Sequence, residues 1–203
     1  MIDFSFDLFK KKPVIGVDEV GRGAWAGPVF AGAAFLKYKN ILEIPRSIND
    51  SKKLSEFYRL EVLKKIRDFA TLSVGSVCAK CIDKIGIQNS VVKAMEMAII
   101  NLKVSNYLED YIIVVDGNYL PIFKDKKLNI KFLKKGDTIS PSVAVASIFA
   151  KVKRDDFMKN LHNSYPEYKW ERNMGYGTKD HRMAIDKLGP TQEHRMSFKP
   201  LKN

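Results

Sequence analysis

The order of elements along this chain predicts an α/β fold, a mixed sheet with helices packed on it. Three observations carry that expectation. Tyr111–Asp116 is a continuous apolar run ending in a carboxylate, the pattern of a central strand buried on both faces. Val14–Asp18 and Val29–Leu36 are short β-branched or small apolar runs joined by a glycine-rich turn, which suits neighbouring strands of a meander. Strand and helix patterns then alternate through the rest of the chain, which requires parallel partners and covering helices.

Element by element, Gly21, Gly23 and Gly27 in Glu19–Pro28 mark a turn with close backbone approach. Ser55 opens a helix whose Phe57, Leu60, Leu63 and Ile66 share one face. Leu72–Ala79 reads as a third strand. Asn89 is placed to cap a second helix carrying Val92, Met95, Ile99 and Leu102. Ile130–Lys135 is a shorter strand. Ser140-Pro141 fits an N-cap followed by proline in the first turn, opening a long helix through about Leu161. Lys179–Leu188 forms a last helix, stopped by Gly189-Pro190. No repeat, low-complexity tract or linker divides the sequence. It reads as one domain over 1–203, with a leader at 1–12 and a helical C-terminal part from about residue 140.

Composition narrows the function classes. The 203 residues are 45% hydrophobic and 29% charged, the balance of a globular protein with a core. Lysine and arginine outnumber aspartate and glutamate 35 to 23, a net charge of +12 that favours a polyanionic partner. The longest apolar stretch, Ala24–Leu36, is broken by Gly27, Pro28 and Gly32 and is too short to cross a bilayer. Asp3 and Asp7 ahead of Lys10–Lys12 do not resemble a secretory signal. Two cysteines cannot staple a domain of this size, so a cytoplasmic location is expected.

Against that basic background, the acidic residues at strand ends stand out. Asp18 ends the first strand with Glu19 beside it, Asp116 ends the buried strand, and Asp137 follows Lys135-Gly136. Ligands of open α/β sheets bind at such ends. Gathered carboxylates repel, so either their pKa values rise or a cation neutralises them. Oxygen donors without histidine or cysteine select magnesium or manganese. Such a cluster suits two dications about 3.5–4 Å apart, the arrangement of phosphodiester cleavage. Ordinary turn aspartates remain the alternative. Because adjacent strand residues point to opposite faces, Asp18 and Glu19 share a site only if the strand breaks at Glu19.

Six blocks in this order resemble the ribonuclease HII family, the type 2 ribonucleases H. They are Val17–Gly23 with Gly27-Pro28, Asn49–Ser55, Asp116–Asn118, Lys135–Asp137, Ala146–Asp155, and Gly175–Thr178 with His181, Gly189–Thr191, His194-Arg195 and Ser197-Phe198. The resemblance runs from about Pro13 to Phe198. It implies a ribonuclease H-like fold, a five-stranded mixed sheet flanked by helices. It implies hydrolysis of the RNA strand of RNA–DNA hybrids, and incision of duplex DNA 5′ of an embedded ribonucleotide. Asp18, Glu19, Asp116 and Asp137 are then the catalytic and metal-binding carboxylates, holding Mg2+ or Mn2+, two ions per site. Gly21, Arg22 and Gly23 form the loop that reads the ribonucleotide, Tyr176 packs on its sugar, and Ser51 and Lys52 hold the nucleic-acid backbone. The expected partners are hybrids and ribonucleotide-containing DNA, with no membrane, and the expected state is a monomer.

Other features have plainer readings. Lys151, Lys153 and Arg154 are candidates to track the duplex, though Lys151 is also spaced to pair locally with Asp155. Cys78-Ala79-Lys80-Cys81 has redox or zinc spacing but no second pair, so free thiols are expected. His181 and His194 are read as supporting or packing residues. Two rival functions remain: a ribonuclease HIII-like hybrid nuclease, and a basic nucleic-acid-binding module without chemistry.

Overall fold

The computed structural model describes residues 5–8, 10–37, 48, 54–105, 107–118, 120–124 and 128–201. β1 (Val14–Val20) pairs antiparallel with β2 (Val29–Leu36), which pairs antiparallel with β3 (Ala70–Val77). On the other side of β1, β4 (Ile112–Asp116) and then β5 (Asn129–Leu133) run parallel to it. Among the described residues the sheet has five strands in the order β3-β2-β1-β4-β5, the expected mixed arrangement. β4 is buried from Ile112 to Val115, which its unbroken apolar sequence required.

The helices are α1 (Glu56–Ile66), α2 (Ala79–Ile85), α3 (Ile87–Asn101), α4 (Pro141–Ser164), α5 (Trp170–Asn173) and α6 (Lys179–Leu188). One sheet face, with Ile15, Val17, Ala31, Ala33, Ile113 and Val115, packs on α3 through Val91, Ala94, Met95 and Ala98. The other face, with Val14, Ile112 and Val114 and with Ala34 and Leu36, receives α4 and α1. Each fully buried aliphatic side chain contributes about 1.5–3 kcal/mol relative to exposure.

α4 lies unusually close to the sheet. A Cβ on Gly16 would run into the Ser142 carbonyl and the Val143 amide, and one on Gly32 into the Ala146 carbonyl. Glycine at these two strand positions brings helix backbone against strand backbone.

The start of α4 is capped twice. Ser140 is the N-cap, its Oγ accepting from Val143 N at 3.3 Å. The same hydroxyl donates to Asp7 Oδ1 at 2.7 Å, and Ser142 N donates to Asp7 Oδ2 at 2.9 Å. A carboxylate at a helix N-terminus complements the free amides and the dipole.

Three local expectations are corrected. In α1 the buried face is Arg59, Val62 and Ile66, whereas Phe57 and Leu60 are 66% and 47% exposed. Arg59 turns inward because its guanidinium meets Asp155 of α4 at 3.4 Å and the Leu54 carbonyl at 2.7 Å. The third strand stops at Val77, and Ala79 opens α2, which apolar periodicity did not reveal in so short a segment. Asn89 is not the cap of α3: Gly86 holds that place, and Asn89 Nδ2 donates back to the Ile85 carbonyl at 2.8 Å.

Asp7→Ala leaves the Ser142 amide and the Ser140 hydroxyl without their buried partner, so it should lower unfolding free energy by about 1–3 kcal/mol. Urea denaturation of both proteins measures this, and an unchanged midpoint would show that the leader adds nothing to α4.

Candidate active site

The parallel ladder between β1 and β4 ends at the pair Val17↔Val115, one residue before Asp18 and Asp116. Beyond it each strand follows a different partner. β1 stays with β2 through Glu19↔Ala31 and Val20↔Phe30, while Asp116 pairs with Leu133 of β5. The carboxylates therefore line a crevice where neighbouring strands part company. β1 does not break at Glu19, contrary to the condition set from sequence. Asp18 lies on the α4 side of the sheet, where Ser147 bonds it, and it also accepts from Glu19 N at 2.7 Å. Glu19 takes the other lip, in a cleft of about 370 Å³ lined by Arg22, Gln88, Asp116, Gly117, Asn118 and Leu120. At the end of the strand, two opposite-facing side chains can flank one neighbour.

Asp116 is fixed from the following loop: Gly136 N donates to its Oδ1 at 2.6 Å. Gly136 opens the 3-10 turn Gly136–Thr138, and Lys135 before it adopts a left-handed conformation, φ 58°. Asp137, next along, is buried in this turn, which packs against β4 and α4.

Charge is concentrated here without full compensation. Burial pushes the Asp18 carboxyl well above its ordinary range, and the Glu19 and Asp116 charges add to the effect. Burial also raises Glu19, against the pull of Arg22, whose Nη1 lies 3.5 Å from Glu19 Oε1. The donors are all oxygen, and a hard dication would relieve the repulsion, so the group fits such an ion in kind. Among the described residues, no three Asp, Glu, His or Cys side chains form a ready-made coordination set.

Gly21, Arg22 and Gly23 form the turn leaving β1, closed by Ala24 N donating to Gly21 O at 3.3 Å. Gly21 has φ 85° and sits against the Arg154 side chain where a Cβ would clash, so glycine is required there on both counts. Tyr176 lies near this turn, its ring 5.3 Å from the Arg154 guanidinium carbon. Ser51 and Lys52, the expected backbone-holding residues, lie outside the described residues.

Arg154 does not track a duplex. It is fully buried and donates to the carbonyls of Pro28 (3.1 Å), Met174 (2.9 Å) and Ala26 (3.4 Å). Ala150, Arg154 and Met158 share one buried stripe at i, i+4 spacing, the signal that could have placed it inward. Lys151 takes the local alternative, its Nζ 2.6 Å from Asp155 Oδ1.

Sequence reasoning also undervalued a polar interior beneath the loops. Arg195 is fully buried and donates to Gly27 O at 2.9 Å and Arg22 O at 3.0 Å. Burial, with the Arg154 charge nearby, lowers it to about 9. Trp170 Nε1 can only donate, so His181 Nε2 accepts from it at 3.1 Å. His181 Nδ1–H then donates to Tyr176 O at 2.9 Å. Thr191 N donates to His194 Nδ1 at 2.9 Å, which places the His194 proton on Nε2, 3.1 Å from His181 Nε2, whose single lone pair it shares with Trp170. Both histidines are neutral in this network, as burial favours, and His194 is lowered to about 4 by burial and by His181. Cys78 and Cys81 are free thiols.

A pH dependence of stability follows for His194. Its folded pKa of about 4 lies below its ordinary 6.5, so between these values the unfolded chain binds the extra proton. This contribution is complete above about pH 6.5 and is lost as pH falls toward 4, each tenfold difference in proton affinity being equivalent to about 1.4 kcal/mol. Asp7, Asp18 and Glu19 are raised and act in the opposite sense. The melting temperature of wild type should therefore drop more between pH 7 and 5 than that of His194→Asn, and parallel curves would contradict the assignment.

A family model described as Ribonuclease HII matches residues 15–201. Ribonuclease HII of Wolbachia sp. subsp. Brugia malayi (strain TRS) is 43% identical over 201 residues, 99% of this chain and 95% of that protein. Ribonuclease HII of Ehrlichia canis (strain Jake) is 46% identical over 209 residues, covering 99% and 96%. The crystal structure of ribonuclease H2 from Pyrococcus horikoshii OT3 superposes with a TM-score of 0.76 at 26% identity, over 93% of this chain and 94% of that one. Bst-RNase HIII in complex with Mn2+ shares the fold, with a TM-score of 0.71 at 19% identity, over 94% of this chain and 68% of that one.

Proposed function

The chain belongs to the ribonuclease HII family, and from that premise we propose that it cuts the RNA strand of RNA–DNA hybrids and incises duplex DNA 5′ of an embedded ribonucleotide. It is a ribonuclease H-type endonuclease, which sets aside the non-catalytic binding module, and the family match favours HII over the HIII-like alternative. The observation that carries the finer reading is the crevice where Asp18, Glu19 and Asp116 meet in a chain of net charge +12. Negative charge at the centre of a protein suited to polyanions works against phosphate binding unless cations offset it.

In this reading Asp18, Glu19, Asp116 and Asp137 hold Mg2+ or Mn2+, two ions per site. Such ions, when bound, supply the positive charge that draws in the scissile phosphate and activates water. The chain's own groups prepare the site. Glu19 N and Ser147 hold Asp18, and Gly136 N holds Asp116, so the carboxylate positions are set before substrate arrives. Arg22 is half-exposed and can exchange Glu19 for a backbone phosphate. No described residue lies where a Cβ on Gly23 would project, so none of them requires glycine there; a ribose approaching the backbone would. Tyr176 offers a ring for that sugar, and Ser51 and Lys52 complete the grip on the backbone. The same reading makes the enzyme a cytoplasmic monomer. No described helix is long and apolar enough to cross a membrane.

Asp18→Asn removes a buried charge from a repelling group. The variant should lose cleavage yet melt higher than wild type in a chelator, and added Mg2+ or Mn2+ should raise the melting temperature of wild type more. Cleavage at the wild-type rate in saturating metal would remove Asp18 from the chemistry.

Tyr176→Phe loses a hydroxyl and keeps the ring, so it should slow cleavage at a single embedded ribonucleotide modestly. Tyr176→Ala also loses the packing surface and should slow it far more. Gel-based rates decide, and an Ala variant as fast as wild type would reduce Tyr176 to a packing residue.

A further inference from the structure

Three separated segments meet above the buried polar interior: the turn 21–27, the loop 174–178, and the stretch 191–198. Backbone hydrogen bonds stitch them together. Trp25 N donates to Gly175 O at 2.8 Å, Gly27 N to Glu193 O at 2.8 Å, and Arg195 N to Trp25 O at 2.7 Å. Within the third stretch two consecutive residues send their side chains to different loops. His194 acts through His181 on the Tyr176 carbonyl, and Arg195 takes the carbonyls of Arg22 and Gly27. Both are fully buried, so neither is a surface contact with substrate.

We propose that His194 and Arg195 form a two-pronged clamp that fixes the turn Gly21–Gly23 relative to Tyr176, making both of them specificity-determining positioning residues. The inference rests on the reading that those two elements recognise the ribose.

The planar trans peptide explains how a buried arginine can govern an outer surface. Carbonyl and amide of one peptide unit point in opposite directions. With the Arg22 carbonyl drawn inward to Arg195 Nη1, the Gly23 N–H of the same unit is turned the other way. No described residue fills the flank of Gly23 or accepts from its amide. His181 does the corresponding work at the Tyr176 carbonyl, which sets the backbone from which that ring projects.

The chemistry of the clamp favours a positional role. Among the described residues Arg195 bonds two carbonyls and stacks on the Phe198 ring at 5.1 Å, has no carboxylate in salt-bridge contact, and keeps its Nη2 buried without a hydrogen-bond partner. A buried guanidinium so incompletely matched is a costly way to gain stability alone. Its rigid fork does reach two carbonyls at once, which a lysine cannot copy. Downstream, Asp83 anchors the stretch by accepting from Met196 N, Ser197 N and Ser197 Oγ, all within 2.9 Å.

The test compares kcat/KM for a duplex with one embedded ribonucleotide against a continuous RNA–DNA hybrid, on the same preparation of each variant. Any inactive fraction cancels in that ratio, so a purely structural defect leaves it at the wild-type value. Arg195→Lys and His194→Ala should each lower the ratio about tenfold. Asp83→Ala, on the exposed side of α2, should lower it two- to threefold while remaining fully folded. Wild-type ratios in Arg195→Lys and His194→Ala overturn the clamp. Tyr176→Ala is the control. If it shifts the ratio while the clamp variants do not, the clamp fails and the ribose reading stands. If it also leaves the ratio unchanged, the reading itself fails and the clamp falls with it.

Discussion

The close approach of α4 to the sheet is the constraint on which the rest depends. Helix backbone can lie against β1 and β2 only because Gly16 and Gly32 present no Cβ to Ser142, Val143 and Ala146. That contact sets the height of the whole helix. It carries Ser147 to Asp18 at one level and Arg154 to the turn after β1 further along. It also places the start of α4 against the 3-10 turn that holds Asp137 and presents the Gly136 amide to Asp116. Asp7 and Ser140 secure that start, so a carboxylate from the leader and the acidic crevice are mechanically linked through one helix end.

Around this helix the protein accepts two electrostatic costs of opposite sign. Buried Asp18 and half-buried Glu19 and Asp116 crowd the crevice, and two buried guanidiniums, Arg154 and Arg195, sit beneath the neighbouring loops. Natural proteins depart from the rule of compensated burial chiefly at functional sites. Here each departure has a distinct use. The acidic group is only partly relieved from within, by Arg22 beside Glu19, which suits the proposed cation site, while the arginines bind main-chain carbonyls of loops that have no regular structure of their own.

Much of this was legible from residues in order. The apolar run of β4, the Ser140-Pro141 start of α4 and the Gly189-Pro190 stop of α6 each follow from local chemistry, and the structure has all three. The carboxylates announced themselves because acidic residues at strand ends are conspicuous in a basic chain. Segments governed by tertiary contact were less legible. Phe57 and Leu60 look like a buried face, yet Arg59 occupies it because Asp155 waits on α4. Arg154 looks like a surface cation until the three carbonyls around it are seen.

The sequence by itself determined the class of fold, the position of most elements and the family, since these rest on periodicity, capping and short ordered motifs carried within contiguous stretches. Tertiary structure alone decided how Asp18 and Glu19, facing opposite sides of an unbroken strand, come to share Asp116. It also decided that His181, His194, Arg154 and Arg195 build an interior. The physical reason is the same in each case: these partners lie far apart along the chain, or on diverging strands. The hydrogen bonds and buried charges that define them exist only once the glycine-lined contact between α4 and the sheet has closed.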